Sequence, residues 1–237
     1  MSEQTNTGKF TLTGLKRPEV INSKTKQRIV LVRDVSYSMD DDNKAVEASK
    51  ATQGFLMELA QPENKDGFYA AVVDYSENAE IVAPFTKATE LHGKVTDIKT
   101  KSCTNITAGL AQAGRLLEQA PESVNGHERF LKPVVVLFTD GEHNTGKEPY
   151  DEAERLKQTA DLVTVAFGVD ADLDLLRRVA NTPEHCYRCG DGRDLRAFLA
   201  AVGETLTSSM QIGQDATQPL SQIGSEKDNQ NKNEEKG

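Results

Sequence analysis

Hydrophobic residues in the middle of the chain fall into short buried runs separated by amphipathic stretches. The run Val134–Phe138 is β-branched and aliphatic, which is typical of a strand buried on both faces. Between such runs, apolar residues recur every three or four positions, as Ala51, Phe55 and Leu59 do, which predicts helices. The predicted strands are Arg28–Val35, Phe68–Tyr75, Glu80–Pro84, Pro133–Thr139, Leu162–Phe167 and His185–Arg188.

The order of the elements predicts an α/β fold. Phe68–Tyr75 and Glu80–Pro84 are joined by a short turn, so we expect an antiparallel pair there, with one antiparallel strand at the sheet edge. The later strands are separated by helices, which favours a mostly parallel sheet with helices on both faces. The predicted helices are Asp42–Ala60, Ile106–Gln119, Tyr150–Thr159, Leu173–Val179 and Asp194–Met210.

Two flanks differ in composition from this central part. Residues 1–24 are mostly polar, although Phe10–Thr13 alternates in a way that is compatible with a short edge strand. Residues 211–237 are rich in Gln, Asn, Lys and Glu, and so little apolar surface predicts a disordered tail. We therefore expect an N-terminal extension over 1–24, one domain over 25–210 and a polar tail over 211–237.

The charge balance narrows the classes of function. The 237 residues include 28 Lys and Arg against 37 Asp and Glu, which gives a formal net charge of −9. Such acidity argues against binding nucleic acid, which needs a basic face. It is compatible with metal binding and with soluble protein partners. Because the charges of the two flanks cancel, the excess lies in the central domain.

Apolar runs and cysteines bear on location. No strongly apolar run is long enough to span a membrane, and the first residues lack the apolar stretch of a signal peptide. Three cysteines are too few for a disulfide framework, which fits a reducing compartment. We therefore expect a cytoplasmic protein that does not enter the membrane.

Oxygen-bearing side chains gather where such a sheet binds ligands, at the carboxyl ends of strands near a reversal of strand order. Asp34, Ser36 and Ser38 alternate after the first strand, Asp140 follows the central strand, and Thr104 precedes a helix. Two carboxylates and three hydroxyls suit a hard divalent cation, Mg²⁺ first, with Mn²⁺ or Ca²⁺ as alternatives. Because two carboxylates only neutralise such an ion, it still attracts a carboxylate from outside.

At these residues the sequence resembles the von Willebrand factor A (vWA) domain family. That family's metal-ion-dependent adhesion site (MIDAS) combines a D-x-S-x-S loop, a later threonine and an aspartate in a T-D-G turn. Asp34–Ser38 matches the first element, Thr104 resembles the threonine, and Asp140 resembles the aspartate. The three elements stand in the family's order, and the resemblance covers about residues 25–210.

The resemblance implies a Rossmann-like, three-layer fold with a metal at the top of the sheet. Ser36, Ser38 and often Thr104 would ligate directly, and the two aspartates would ligate directly or through water. A Glu or Asp of a protein partner would complete the coordination without bond chemistry, so we expect a module that is not an enzyme. The family commonly has glycines before the threonine where this chain has Ser102 and Cys103, a departure that concerns the backbone of that loop.

The absence of a signal peptide is more typical of the bacterial, intracellular members of the family. By resemblance, such members work beside AAA+ ATPases of the MoxR type or within tellurite-resistance and stress systems. A partner of that kind is therefore the expectation for this chain. A third interpretation places the function in the flanks and treats the metal site as a relic.

A phosphatase or phosphotransferase of the haloacid-dehalogenase type is the alternative, with Asp34 as nucleophile. Gly190–Asp194 resembles the late acidic motif of those enzymes. Their first motif is D-x-D, however, and Ser36 stands where the second carboxylate would act as general acid. A tight turn with a helix N-cap is the simpler interpretation of Gly190–Asp194.

Two further clusters have structural interpretations. Cys186 and Cys189 form a C-x-x-C, but a second ligand pair for zinc is missing, and a redox pair would stand at a helix N-terminus. We favour a structural role, with zinc or redox chemistry left open. Asp40–Asp42 could supply further metal ligands, but we expect these residues to cap the first long helix.

Overall fold

Seven strands form one sheet in the computed structural model, which describes residues 24–120 and 128–223. The strands are β1 (Thr25–Asp34), β2 (Phe68–Tyr75), β3 (Ala79–Lys87), β4 (Arg129–Phe130), β5 (Val134–Thr139), β6 (Asp161–Phe167) and β7 (Cys186–Cys189). Their order is β3-β2-β1-β5-β6-β7, and β4 pairs with the first residues of β1. Only the β2–β3 pair is antiparallel among the described strands, which confirms a mostly parallel sheet with one antiparallel edge strand.

Helices cover both faces of the sheet. They are α1 (Lys44–Leu59), α2 (Ala88–Leu91), α3 (Ile106–Gln119), α4 (Tyr150–Lys157), α5 (Leu173–Val179), α6 (Gly192–Ile212) and α7 (Thr217–Gln222). Successive residues of β1 serve the two faces because side chains alternate along a strand. Ile29 and Leu31 pack in one apolar cluster with α1 and α6, whereas Val30 and Val32 pack in the other with α3. The three-layer α/β architecture expected from the sequence is therefore confirmed.

The strand order reverses between β1 and β5. From β1 the sheet continues to β2 and β3 on one side, and from β5 it continues to β6 and β7 on the other. The two strands run in parallel register, with Arg33 beside Phe138. Their carboxyl ends therefore lie side by side, which brings the loops after Asp34 and Thr139 together at the position where such sheets bind ligands.

Close packing of α3 fixes a third loop above the same edge. A β-carbon at Gly109 would lie 2.9 Å from Val32 Cγ1 and 3.0 Å from the Tyr75 ring. Glycine is therefore required for α3 to approach the sheet this closely. The loop that enters α3 contains Thr104, so this packing also helps to position Thr104 above the edge of the sheet.

The chain beyond residue 210 differs from the expected disordered tail as far as residue 223. α6 continues to Ile212, and α7 follows with Leu220 buried. The Tyr187 hydroxyl donates to the Leu220 carbonyl, and His185 Nε2 lies 2.8 Å from the Thr217 carbonyl oxygen. A few apolar residues are enough to order this segment because they pack against a surface that the rest of the domain provides.

The expected extension over 1–24, including Phe10–Thr13, lies outside the described residues except for Lys24. The part of the expected tail after Ile223 also lies outside them. Over the described ranges, no helix combines the length and apolar character needed to cross a membrane.

Candidate metal centre

The loop after β1 folds back on its own aspartate. Asp34 is the last residue of β1 and is fully buried. One carboxylate oxygen, Oδ1, accepts a hydrogen bond from the Ser36 amide at 2.8 Å, and the other accepts from the Thr139 hydroxyl. These bonds fix the Asp34 carboxylate and turn the following residues over the end of the sheet. A 3₁₀ helix over Tyr37–Asn43 then leads to α1.

Serine hydroxyls join the two strand ends. Ser36 Oγ and Ser38 Oγ are 3.0 Å apart, and Ser38 Oγ donates to Asp140 Oδ1 at 2.7 Å. Asp140 follows β5 directly and is fully buried. The structure therefore brings Asp34, Ser36, Ser38 and Asp140 into one cluster, as the sequence predicts.

Thr104 reaches the cluster from the loop before α3. Gly141 lies against both the Thr104 and the Ser38 hydroxyls: a β-carbon there would lie 3.2 Å from Ser38 Oγ and 3.5 Å from Thr104 Oγ1. The Thr104 amide donates to Asn144 Oδ1 at 2.9 Å, and the Asn144 amide donates back to the Thr104 carbonyl at 3.1 Å. These two hydrogen bonds between the loops hold Thr104, which is buried, beside the T-D-G turn.

The departure from the family's glycines has a structural consequence. Ser102 has φ of +20°, at the border of the left-handed region that glycine adopts most readily. The Ser102 carbonyl accepts from the Tyr37 amide at 3.2 Å, and the Lys101 amide donates to the Val35 carbonyl at 2.6 Å. The serine therefore takes an uncommon backbone conformation and still connects the Thr104 loop to the D-x-S-x-S loop.

Burial makes the Asp34 carboxylate costly to ionise. Desolvation raises the pKa of Asp34 to about 6, although hydrogen bonds from Ser36 and Thr139 oppose the shift. The charge of nearby Asp140 raises the Asp34 pKa further. A cation at this position would relieve both effects, because it compensates the buried negative charge.

Lys44 is a residue of the cluster that the sequence analysis missed. Its ammonium lies 2.8 Å from Asp140 Oδ2, in a largely buried ion pair. Burial alone lowers the pKa of Lys44, but the hydrogen bond and charge of Asp140, with Asp170 and Asp41 beyond, outweigh it and raise the pKa. The available signal was a lysine in the first turn of a helix, where the helix dipole disfavours positive charge.

The oxygen spacing fits a hard divalent cation. Neighbouring ligands of octahedral Mg²⁺ are about 3 Å apart, because each lies about 2.1 Å from the ion. The separations of 3.0 Å from Ser36 Oγ to Ser38 Oγ and 2.7 Å from Ser38 Oγ to Asp140 Oδ1 match that scale. Among the described residues, no group of three or more His, Cys, Asp or Glu side chains is placed to hold a metal. A centre here therefore depends on the hydroxyls.

The expectation that Asp40–Asp42 cap the first long helix is wrong. α1 begins at Lys44, and its N-cap is Asn43, which has a left-handed backbone and makes no side-chain capping bond. Asp40 instead accepts from the Thr100 hydroxyl at 2.8 Å. Asp41 and Asp42 have non-helical backbone and interrupt the 3₁₀ segment after Ser36, so the acidic run ends before the first turn of α1.

The remaining sequence candidates have structural roles within the described residues. Asp191 caps α6 by accepting from the amides of Arg193 and Asp194, which confirms the turn and N-cap interpretation of Gly190–Asp194. Cys186 and Cys189 lie on β7 as free thiols, the second of them buried. Burial raises the pKa of the Cys186 thiol, so the thiolate that redox or zinc chemistry needs is disfavoured.

Residues 29–201 match the model of the von Willebrand factor type A domain. The chain belongs to this family. The match covers the sheet from β1 into α6, so the vWA domain contains all five predicted site residues, namely Asp34, Ser36, Ser38, Thr104 and Asp140.

Similar proteins come from distant sources. Calcium-activated chloride channel regulator 3A-1 of Mus musculus is 25% identical over 201 residues, which cover 82% of this vWA chain. The chain spans only 21% of that relative's length.

Solved vWA structures share the fold. Proximal thread matrix protein 1 from the mussel byssus, in a form with a zinc-occupied MIDAS motif, has a TM-score of 0.60 at 23% identity. The likeness covers 79% of this chain and 47% of that one. A von Willebrand factor type A protein from Catenulispora acidiphila has a TM-score of 0.60 at 21% identity, over 79% and 43% of the two chains. Nothing in these likenesses supports the phosphatase alternative.

Proposed function

We propose that this vWA domain binds a divalent cation, Mg²⁺ first, and through it a Glu or Asp carboxylate of a protein partner. The observation that carries the proposal is the convergence of Ser36, Ser38 and Asp140 oxygens, 2.7 to 3.0 Å apart, where the strand order reverses. Ser36, Ser38 and Asp140 would hold the cation, Asp34 would act on it directly or through water, and Thr104 would add a further hydroxyl. A bound cation supplies a Lewis-acidic position that attracts an external carboxylate.

The chain's own groups prepare that position. Thr139 and the Ser36 amide orient Asp34, whose buried charge favours a cation nearby. Asn144 and the T-D-G turn hold the Thr104 loop against the centre. None of these groups has to move a proton or break a bond, so the domain acts in recognition and not as an enzyme.

The partner and its system are part of the same proposal. A bacterial, cytoplasmic vWA module of this type would bind an AAA+ ATPase of the MoxR type or a component of a tellurite-resistance or stress system. The family is one of interaction and adhesion modules, which supports a protein partner. The net charge of −9 supports a partner that presents one well-placed carboxylate and not a broadly acidic surface.

Titration calorimetry tests the metal directly. Mg²⁺ and Mn²⁺ are titrated into the wild type, Asp34→Ala and Asp174→Ala, the last a control because the Asp174 side chain is 94% exposed. We expect binding in the wild type and the control, and its loss in Asp34→Ala. Equal binding in all three proteins, or in none, would contradict the metal function. Affinity capture with and without EDTA then tests whether a partner requires the metal.

A further inference from the structure

Lys44 enters the metal centre from the first turn of α1. Its ammonium lies 2.8 Å from Asp140 Oδ2, and only 11% of the lysine side chain is exposed. A β-carbon at Gly168 would lie 3.3 Å from Lys44 Cε, so the loop after β6 packs against the lysine stem. The ammonium is therefore held at Asp140 by packing as well as by charge.

This placement has two free-energy costs. A cation in the first turn of a helix opposes the helix dipole, and a buried ammonium loses its hydration. The attraction of Asp140 offsets these costs, with weaker attraction from Asp41 and Asp170. A residue that costs this much beside a candidate metal ligand points to a role in the centre itself.

Lys44 and a metal would use the same carboxylate. Asp140 Oδ1 accepts from Ser38, and Asp140 Oδ2 accepts from Lys44. A divalent cation bound to Asp140 would therefore share that carboxylate with the ammonium, and two cations on one carboxylate repel each other. Asp34 and Asp140 bring two negative charges and Lys44 cancels one, so the cation meets half of the charge that the aspartates alone would offer.

We propose that Lys44 is an internal counter-charge that lowers the affinity of the centre for divalent cations. The proposal rests on the metal-binding function proposed above and adds a residue that opposes it. With metal bound, the lysine leaves the centre one unit more positive, which strengthens its attraction for a partner's carboxylate. Removal of the charge should tighten metal binding, whereas loss of a merely structural ion pair would leave binding unchanged or weaken it.

Mn²⁺ titration into the full chain measures the effect. Lys44→Met keeps the apolar stem, and Lys44→Gln keeps a donor for Asp140, so the two variants differ in their risk of unfolding. Lys50→Met is the control, because Lys50 lies on the same helix, is 60% exposed and pairs with Glu47. One charge within about 4–6 Å shifts such equilibria about tenfold to a thousandfold. We expect Mn²⁺ to bind at least about tenfold more tightly to both Lys44 variants, with no change in the control.

The outcomes separate this inference from the proposed function. Mn²⁺ affinity that is equal or weaker in Lys44→Gln or Lys44→Met, in protein that is folded in EDTA, would overturn the counter-charge and leave Lys44 as a positioning residue. If the wild type binds Mn²⁺ and Asp34→Ala does not, the metal function stands whatever the Lys44 variants do. If neither the wild type nor the Lys44 variants bind Mn²⁺, both proposals are overturned.

Discussion

Two fully buried aspartates have the same kinds of partner, although one lies where the strands end and the other at the opposite end of the sheet, where they begin. Asp140, after β5, is 2.8 Å from the Lys44 ammonium and 2.7 Å from the Ser38 hydroxyl. Asp161, at the start of β6, is 2.7 Å from the Lys132 ammonium and 2.6 Å from the Thr217 hydroxyl. A lysine, a hydroxyl and a buried carboxylate therefore do not define a functional site by themselves.

The neighbours of each carboxylate account for the difference. Around Asp140 lie a second carboxylate, Asp34, and the hydroxyls of Ser36 and Thr104, at the reversal of strand order. Near Asp161, the contact between His185 and the Thr217 carbonyl attaches α7 to the rest of the domain. Excess oxygen ligands make the first cluster a candidate metal centre. At Asp161 donors and acceptors are matched, so this second cluster is a joint, a set of contacts that attaches the C-terminal helix α7 to the sheet.

The largest expected effect separates the two aspartates by metal affinity. Asp140→Asn removes the charge of a proposed ligand and should weaken Mn²⁺ binding by about three orders of magnitude or more, about 4 kcal/mol. Asp161→Asn, the matched control at the other end of the sheet, should bind Mn²⁺ like the wild type. Calorimetry on both variants is the measurement, and similar losses in the two would mean that Asp140 has no special part in metal binding.

The next effect separates them by stability. Asp161→Ala leaves Lys132 and Thr217 without their buried acceptor, and loss of one partner of a buried pair costs about 3–4 kcal/mol of unfolding free energy. Urea unfolding in EDTA measures this cost. Lys132→Met is the companion variant, because it removes the positive charge of the same ion pair. A change below about 1 kcal/mol in Asp161→Ala would show that α7 does not depend on this joint.

A third effect is the pH dependence that Asp34 should confer. The Asp34 pKa is raised from 3.8 to about 6, so the folded protein holds this proton more tightly than the unfolded chain does. Asp34 therefore favours folding below about pH 4, and this contribution is lost as the pH rises to about 6. The loss should amount to about 2–3 kcal/mol.

Asp34→Asn isolates that contribution from the other carboxylates. Unfolding free energies of the wild type and Asp34→Asn are compared in EDTA from pH 4 to pH 7. The difference between the two proteins should change across this window in favour of the variant at higher pH. A difference that stays constant with pH would mean that Asp34 is not destabilised by its burial.

Sequence patterns predicted the framework because the framework depends on local periodicity. The bounds of Phe68–Tyr75, Ile106–Gln119 and Leu173–Val179 agree with β2, α3 and α5. Alternation and the three-to-four-residue spacing are readable within one segment, and the D-x-S-x-S loop stands at a strand end for the same reason. The cluster of Asp34, Ser38 and Asp140 then follows from topology alone.

Long-range contacts of residues that do not stand at strand ends were beyond such patterns. The Lys44–Asp140 pair joins residues 96 positions apart, and no local spacing indicates it. The helix over Thr217–Gln222 was missed because its apolar content is small, and its docking depends on contacts with Asp161, His185 and Tyr187 elsewhere in the chain. The composition of a segment predicts disorder only when nothing elsewhere in the chain can pack against it.

The smallest effect compares the two hydroxyls. Ser38→Ala and Thr217→Val each remove one hydroxyl that donates to a buried aspartate, and each should cost about 1 kcal/mol of unfolding free energy in EDTA. Their stabilities therefore do not distinguish them, and Mn²⁺ titration should: Ser38→Ala weakens binding because a ligand is lost, and Thr217→Val leaves it unchanged. Weaker binding in Thr217→Val would mean that the two ends of the sheet are coupled and that the C-terminal joint also adjusts the metal centre.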